Sequence, residues 1–249
     1  MLKALQPPWS ARMTEGRRLY AIGDVHGRAD LLGALLRQID ADLRQHGRAE
    51  TAPTLVFLGD YVDRGLESRR CVDLLLELAA RPLETHFLKG KHDAALLNFL
   101  ANPTSGDRWL RKGGAETLFS YGVQAPLNRH STRELARTAD ALRAAMPAAH
   151  LNFFDRLKLH VRFGDYLFVH AGLKPGLPLE KQQERDLLSI GEPFLKARKE
   201  WPFVVVHGHS PVERFYRDAR RIGVDTGAYA TGRLSAVCLE GDAVRLLST

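Results

Sequence analysis

Gly59-Asp60-Tyr61-Val62-Asp63-Arg64-Gly65 decides how this chain is read. The run before it, Thr54-Leu55-Val56-Phe57-Leu58, is short, apolar and rich in strand formers, which predicts a buried strand. Glycines at both ends of the stretch permit tight turns at the strand's carboxyl end. Two carboxylates and a guanidinium leave that end within four positions. A carboxylate there can hold a cation, and an arginine beside it can fork onto a phosphate. An ordinary surface turn has the same composition, since Asp and Gly are common turn residues. The neighbouring sequence decides between the two.

Upstream, Leu19-Tyr20-Ala21-Ile22 predicts a strand running into Gly23-Asp24-Val25-His26-Gly27. Asp30 is placed to cap a helix whose apolar face is Leu31, Leu32, Leu35, Leu36, Ile39 and Leu43, ending at Gly47. Downstream, Glu67 to Ala80 is amphipathic and stops at Pro82. His86-Phe87-Leu88 then predicts a third strand, ending in Gly90-Lys91-His92-Asp93 at a helix start. Alternating β and α implies parallel strands with right-handed crossovers. Ligands in such sheets bind at the carboxyl ends of the strands. That rule collects Asp24, His26, Asp60, Asp63, Arg64, His92 and Asp93 at one edge.

Residues 105–154 have a helical pattern with glycine breaks, which predicts a cap or insertion beside the site. The period then changes to two. Leu157 to Arg162 and Tyr166 to Val169 predict a hairpin that ends at His170-Ala171-Gly172. Phe203 to Val206 predicts another buried strand, leading to His207-Gly208-His209. The tail reads as antiparallel strands over Arg221–Val224, Leu234–Leu239 and Val244–Leu247. Parallel units followed by hairpins predict an α/β fold of two mixed β-sheets packed as a sandwich with helices outside. Residues 1–18 are basic, with two prolines and a Trp and no continuous apolar core, and read as a flexible N-terminal arm. Residues 19–249 read as a single domain.

The chain of 249 residues is 45% hydrophobic and 26% charged, as in a soluble globular protein. No apolar run reaches membrane-spanning length. Cys71 and Cys238 lie in apolar patterns and are expected to be buried free thiols in a reducing compartment, with a cytoplasmic location. The net charge of +7 suits an anionic substrate. The arginines are scattered and form no basic block interleaved with aromatics, so nucleic acid is not the expected partner.

Five strand ends therefore carry Asp-x-His, Asp-x-x-Asp-Arg, His-Asp, His and His-x-His. Oxygen and imidazole donors without thiolates suit Mn²⁺, Fe or Zn²⁺ rather than a thiolate-bound structural zinc. Two such ions about 3.5–4 Å apart clamp a phosphate and lower the pKa of a bridging water toward neutrality, producing hydroxide for attack on phosphorus.

These stretches, with His170-Ala171-Gly172 and Gly208-His209, resemble the ordered motifs of the calcineurin-like metallophosphoesterases. They are most similar to the phosphoprotein phosphatase family, in its bacterial serine/threonine phosphatase and diadenosine tetraphosphatase branch. The resemblance runs from about Arg18 to Leu247. It implies that Asp24 and His26 bind a first divalent metal, that Asp60 bridges both, and that His170 and His209 bind the second. Manganese is the first expectation from the family. It further implies His92 as general acid, Asp63 as its orienting carboxylate, and Arg64 as the phosphate-binding fork. His207 is expected to have a supporting role.

Two positions depart from the pattern. The third motif ordinarily carries Asn before the His, and its oxygen binds the second metal; here Lys91 stands there. A charged lysine has donors and no acceptor. Its ammonium is expected to repel or replace the second metal, or else to swing aside and leave the vacancy to water. Later, where bacterial members read Leu-Leu-Trp-Ile-Arg, this chain has Leu187-Leu188-Ser189-Ile190-Gly191. Gly191 thus replaces a second phosphate-binding arginine, with Lys174, Arg185 and Arg198 close enough in sequence to compensate. The expected function is a metal-dependent phosphoester hydrolase like the serine/threonine protein phosphatases, acting on a phosphorylated protein or a small phosphoester or nucleotide. Two further readings are a dinucleoside polyphosphate hydrolase and a catalytically impaired phospho-ligand-binding or scaffold protein, the last favoured by Lys91 and Gly191.

Overall fold

The computed structural model describes residues 11–46, 52–128, 130–198, 201–213 and 215–249. The chain begins with β1 (Arg17–Ile22), α1 (Ala29–His46), β2 (Ala52–Phe57), α2 (Ser68–Ala79), β3 (Glu84–Phe87) and α3 (Lys91–Ala101). The insertion is helical, as its pattern predicts: α4 (Gly106–Trp109), a kinked turn at Leu110–Gly114, α5 (Ala115–Ser120), α6 (Thr132–Ala145) and α7 (Ala148–Asp155). There follow β4 (His160–Phe163), β5 (Tyr166–Val169), α8 (Glu184–Ser189), α9 (Glu192–Leu195), β6 (Val204–His207), β7 (Tyr216–Arg217), β8 (Arg221–Gly223), α10 (Ala228–Thr231), β9 (Ser235–Glu240) and β10 (Ala243–Ser248).

Two mixed sheets form, ordered β10-β9-β1-β2-β3 and β4-β5-β6-β8-β7. Strand alternation sorts their side chains. Leu19 and Ala21 of β1, Val56 of β2 and Val237 and Leu239 of β9 meet Phe168, Val206 and Ile222 of the other sheet in a core between the sheets. The alternate residues Tyr20, Ile22, Leu55 and Phe57 face α1, α2 and the insertion. On the far side Leu167, Val169 and Val205 pack against Leu187 and Phe194. Strands β5 and β6 are apolar over most of their length because both of their faces are covered. Cys71 and Cys238 are buried free thiols. Among the described residues no helix is long and apolar enough to cross a membrane.

Four expectations need correction. The arm predicted over 1–18 lies outside the described residues up to position 10, but beyond it the chain is packed. Ala11 and Met13 are buried, and the Met13 amide donates to the Gly241 carbonyl. Asp30 sits inside the first turn of α1 and pairs with Arg28, because the helix starts one residue earlier; Gly47, the predicted helix end, lies outside the described residues. Leu157 and Lys158 precede β4, and Lys158 bridges to Leu88 instead. Finally, β8 runs parallel to β6, not antiparallel within the tail. This last difference matters for the site.

One polar network ties α1 to the last strand. Asp42 of α1 accepts two hydrogen bonds from Arg245 of β10, at 2.8 and 2.9 Å, and one from the Tyr20 hydroxyl of β1. The Arg245 hydrogen bonds hold the Asp42 carboxyl down to about 2 against the cost of burial. An unfolded aspartate titrates near 3.9. The Asp42 contribution to stability is therefore complete above about pH 4 and is lost as pH falls toward 2. Asp42→Ala is expected to cost about 1–3 kcal/mol at pH 7 in urea unfolding, because it strands the buried Tyr20 hydroxyl. The gap between variant and wild type should narrow as the pH is lowered toward 2, because protonation weakens the Arg245 hydrogen bonds while a neutral carboxyl still accepts from Tyr20.

Candidate active site

Parallel β1, β2 and β3 deliver their carboxyl ends to one edge of the first sheet, and β5, β6 and β8 do the same in the second. The two edges adjoin. In the register of β6 and β8, Gly223 lies opposite His207, so Asp225 emerges beside Gly208-His209. Asp225 is buried and its charge acts on Asp24. Local sequence does not point to Asp225, since a tail strand taken as antiparallel would carry it to the other end.

Two trios of donor atoms lie close enough to share an ion: His26, Asp60 and His92, and Asp60, His170 and His209. Asp60 belongs to both. Nε2 of His26 and Nε2 of His170 each stand 3.5 Å from the same oxygen, Oδ2 of Asp60. On both rings the opposite nitrogen is engaged by a backbone carbonyl: His26 Nδ1 donates to Val62 at 2.9 Å and His170 Nδ1 to Leu58 at 2.8 Å. That fixes the tautomer and leaves each Nε2 lone pair aimed at Asp60. Nε2 of His170 is fully buried and has no hydrogen-bond partner among the described residues. An orphaned acceptor of that kind fits a cation. Asp24, assigned from sequence to the first metal, completes neither trio. Its carboxylate turns to accept the His209 amide at 3.1 and 3.2 Å.

The electrostatics point the same way. Burial lowers the pKa of His26 to about 4 and of His209 to about 3, and it lowers His170 too, so these rings are neutral and able to ligate. Burial pushes Asp24 well up, with Asp225 and Asp60 adding like charge. Buried carboxylates beside neutral imidazoles need positive charge, and two divalent ions held by Asp24, His26, Asp60, His170 and His209 would supply it. The donor set is oxygen and imidazole only, as the sequence leads one to expect.

His92 opens α3 and is held on two sides. Its amide donates to Asp60 Oδ1 at 2.8 Å, and its Nδ1 donates to Asp63 Oδ2 at 2.7 Å. Burial opposes charge on His92, but the Asp63 hydrogen bond and the Asp60 and Asp63 charges outweigh it and raise its pKa. Asp63 is fully buried and accepts further bonds from Trp109 Nε1 and Thr117 Oγ1, at 3.0 and 2.7 Å. Both donors come from the insertion, and local sequence gave no signal for either. Asp93, gathered at the edge by the sequence reading, is a clasp: it accepts the amides of Gly90, Asp60 and Tyr61 at 2.8–3.0 Å and locks the third motif to the second.

Arg64 lies over the Tyr229 ring, 4.4 Å from its centroid, and its Nη2 reaches Nε2 of His92 at 3.2 Å. Tyr229 also meets the edge of His26, and its role was not visible in sequence. His207 is buried against Phe194 and belongs to neither trio. Lys91 is the first residue of α3; its charge helps to lower both His170 and His209, which puts it beside the second trio. A side chain built at Gly191 meets no atom within 4 Å, so that position has room for one.

Backbone strain is confined to this place. Among the described residues the non-glycine residues with positive φ are His26, Asp60, Asp63, Arg64 and His209. Each such residue costs on the order of 1–3 kcal/mol, and conformations of that kind persist where surrounding structure enforces them, as at active sites. Gly59, at φ +104°, crosses the third motif so closely that a Cβ would stand 2.5 Å from the Gly90 amide nitrogen. Glycine there lets the second and third strand ends touch.

Fold and site together define a hydrolase of the metallophosphoesterase class. The chain belongs to the calcineurin-like phosphoesterase family, whose model matches residues 17–243. It is therefore a phosphoester hydrolase, and the family depends on divalent metal. It is 24% identical over 238 residues to an asymmetrical bis(5'-nucleosyl)-tetraphosphatase, PrpE, of Oceanobacillus iheyensis, with 86% of each chain covered. It is 38% identical over 84 residues to the serine/threonine-protein phosphatase BSL2 of Arabidopsis thaliana, covering 31% of this chain and 8% of that longer one. In fold it is similar to a solved structure provisionally assigned as a diadenosine tetraphosphatase, with TM-score 0.64, 22% identity and coverage of 97% of this chain and 95% of that one.

Proposed function

We propose that the chain hydrolyses phosphoesters at the edge where the two trios meet, with Asp24, His26, Asp60, His170 and His209 holding two divalent ions, Mn²⁺ first among the candidates. The observation that carries this reading is the shared Asp60 oxygen, with a tautomer-fixed imidazole on either side of it. When bound, the ions supply charge neutralisation at the phosphoryl group and a nucleophile at neutral pH. The protein does the rest. Asp63, fixed by Trp109 and Thr117, holds His92 through Nδ1, so that Nε2 is the nitrogen that gives a proton to the departing oxygen. While Nε2 is unprotonated it accepts from Arg64. Once Nε2 carries the proton, Arg64 loses that acceptor and its fork is free for phosphoryl oxygens. Tyr229 holds the guanidinium plane in reach.

The reading is tested by phosphate release from p-nitrophenyl phosphate with Mn²⁺. Lys91 sharpens it. Its charge beside the second trio weakens the second ion, and Lys91→Asn is expected to tighten that ion by about tenfold, which corresponds to removal of about 1.4 kcal/mol of repulsion. Metal titration with Mn²⁺ should show stoichiometry rising toward two per chain and a faster rate. Equal stoichiometry and equal rate in both proteins would sink the proposed role of Lys91.

A second reading narrows the substrate to dinucleoside polyphosphates. What favours it is coverage: the likeness to the PrpE tetraphosphatase spans 86% of both chains, whereas the likeness to the protein phosphatase spans 31% of this one. Turnover of diadenosine tetraphosphate against a phosphopeptide panel separates the two.

A further inference from the structure

A cavity of about 460 Å³ opens beside the start of α3, and the mechanism above leaves it unused. Lys91, Arg108, Lys112 and Arg185 stand in its wall, and no carboxylate lines it. The acidic residues nearest to them along the chain are committed elsewhere. Asp93 holds the amides of Gly90, Asp60 and Tyr61, Asp107 pairs with Arg111, and Glu184 pairs with Lys89 at 3.1 Å. Lys91, Arg108 and Lys112 make no ion pair among the described residues, while Arg185 has only a loose contact of 3.8 Å to Asp186. The cations converge from α3, α4, the kinked turn and α8, and Asn98 adds an amide donor. Like charges gathered around a concave wall make a positive potential that favours an anion with more than one charge.

This cavity is not the phosphoryl edge. Asp60, Asp63, Arg64, His170 and His209 are absent from its wall. Lys91 is the charge common to both places. It lines the cavity, and it helps to lower His170 and His209 of the second trio. Burial lowers the pKa of the Lys91 ammonium itself, the cavity cations Lys112 and Arg108 add to that, and Asp60 opposes it. The ammonium thus stands between cations on one side and the shared carboxylate on the other, on a flexible four-carbon stem. The wall around it is fixed: the Gly113 carbonyl in the kinked turn accepts the Arg64 amide at 3.1 Å.

We propose that this cavity is an effector site for a free, doubly charged oxyanion of the phosphate class, and that the bound anion draws the Lys91 ammonium away from the second trio. The anion and the second divalent ion then strengthen each other's binding, by the same factor in each direction. This rests on the two-ion reading above and adds a control to that site: the second ion is held well only while the oxyanion is present. Arg108 and Lys112 hold the anion, and Lys91 carries its effect to the metal edge.

The probe is sulfate, with ionic strength held constant by chloride. Calorimetric titration of metal-stripped protein should show sulfate binding that is about tenfold weaker in Arg108→Gln and in Lys112→Gln, the loss of one charge-assisted contact each. Thermal midpoints confirm that both variants fold. Inorganic phosphate should displace sulfate, whereas acetate should bind at least about tenfold more weakly. Arg64→Gln should keep its sulfate. Loss of sulfate in Arg64→Gln with full binding in the cavity variants would put the anion at the phosphoryl edge and overturn the proposal. Acetate as tight as sulfate would overturn it too, since the wall would then seat carboxylate side chains. In Mn²⁺ titrations, saturating sulfate should tighten the second ion of wild type about fivefold and that of Lys91→Met by less than about twofold. Two ions that bind alike with and without sulfate, or an equal gain in Lys91→Met, overturn the coupling and leave the two-ion reading standing. Protein that takes up no Mn²⁺ would end the two-ion reading and the coupling together.

Discussion

Asp60→Asn is expected to abolish measurable turnover of p-nitrophenyl phosphate and to remove Mn²⁺ binding at both sites. Asp60 is the only side chain that belongs to both donor trios, and one of its oxygens stands 3.5 Å from Nε2 of His26 and of His170. Groups that merely orient metal ligands cost about 10–100-fold when removed. Loss of a ligand from two sites at once multiplies such factors, which gives a fall of about 10³-fold or more. The variant retains the hydrogen bond from the His92 amide, because the Asn side chain keeps a carbonyl oxygen where Asp60 Oδ1 accepts it. The fold should therefore survive, and circular dichroism should match wild type. Separate titrations with Mn²⁺ and activity assays check the two effects. A variant that binds two ions and still turns over at the wild-type rate removes the proposed bridge.

The second large effect concerns His92. His92→Asn should lower kcat by about 10²–10⁴-fold for an alkyl phosphate, whose leaving oxygen must be protonated as it departs. The fall should be much smaller for p-nitrophenyl phosphate, whose leaving group departs as a stable anion. The structural reason is the chain Trp109 and Thr117 to Asp63, Asp63 to His92 Nδ1, which leaves Nε2, beside Arg64, as the nitrogen free to give a proton. A rate against leaving-group pKa should be steeper for the variant than for wild type. Parallel slopes would show that His92 gives no proton, and would leave it only the ligand role that its place in the first trio allows.

Most of what positions this site can be read along the chain, because it depends on local signals. Apolar runs closed by glycine mark strand ends, and Asp, His and Arg just beyond them mark the edge. That reading places Gly59 at a strand end and Asp60, Asp63 and Arg64 at the edge, whereas Asp60 between two imidazoles and Arg64 over the Tyr229 ring come from the fold. What escapes is whatever depends on pairing between distant segments. Asp225 joins the cluster only because β8 lies parallel to β6, and register is not written in three residues of strand. Trp109 and Thr117 read as ordinary members of an amphipathic region, yet both donate to Asp63 across more than forty residues of chain. Ala11 and Met13 look like part of a loose basic arm, and are fixed by the Gly241 turn between β9 and β10 and by the core between the two sheets. Lys91 and Gly191 show the limit from the other side. Both were visible as departures, but only the structure shows that Lys91 and Arg185 line one cavity and that Gly191 faces open space.

The central claim is that a buried carboxylate and imidazole edge works as a divalent-cation site for phosphoester hydrolysis. Its most direct test is phosphate release from p-nitrophenyl phosphate by wild-type protein before chelation, after chelation, and after Mn²⁺ is restored. Hydrolysis should fall to background on chelation and return with Mn²⁺. Hydrolysis that continues undiminished in the stripped protein would contradict it.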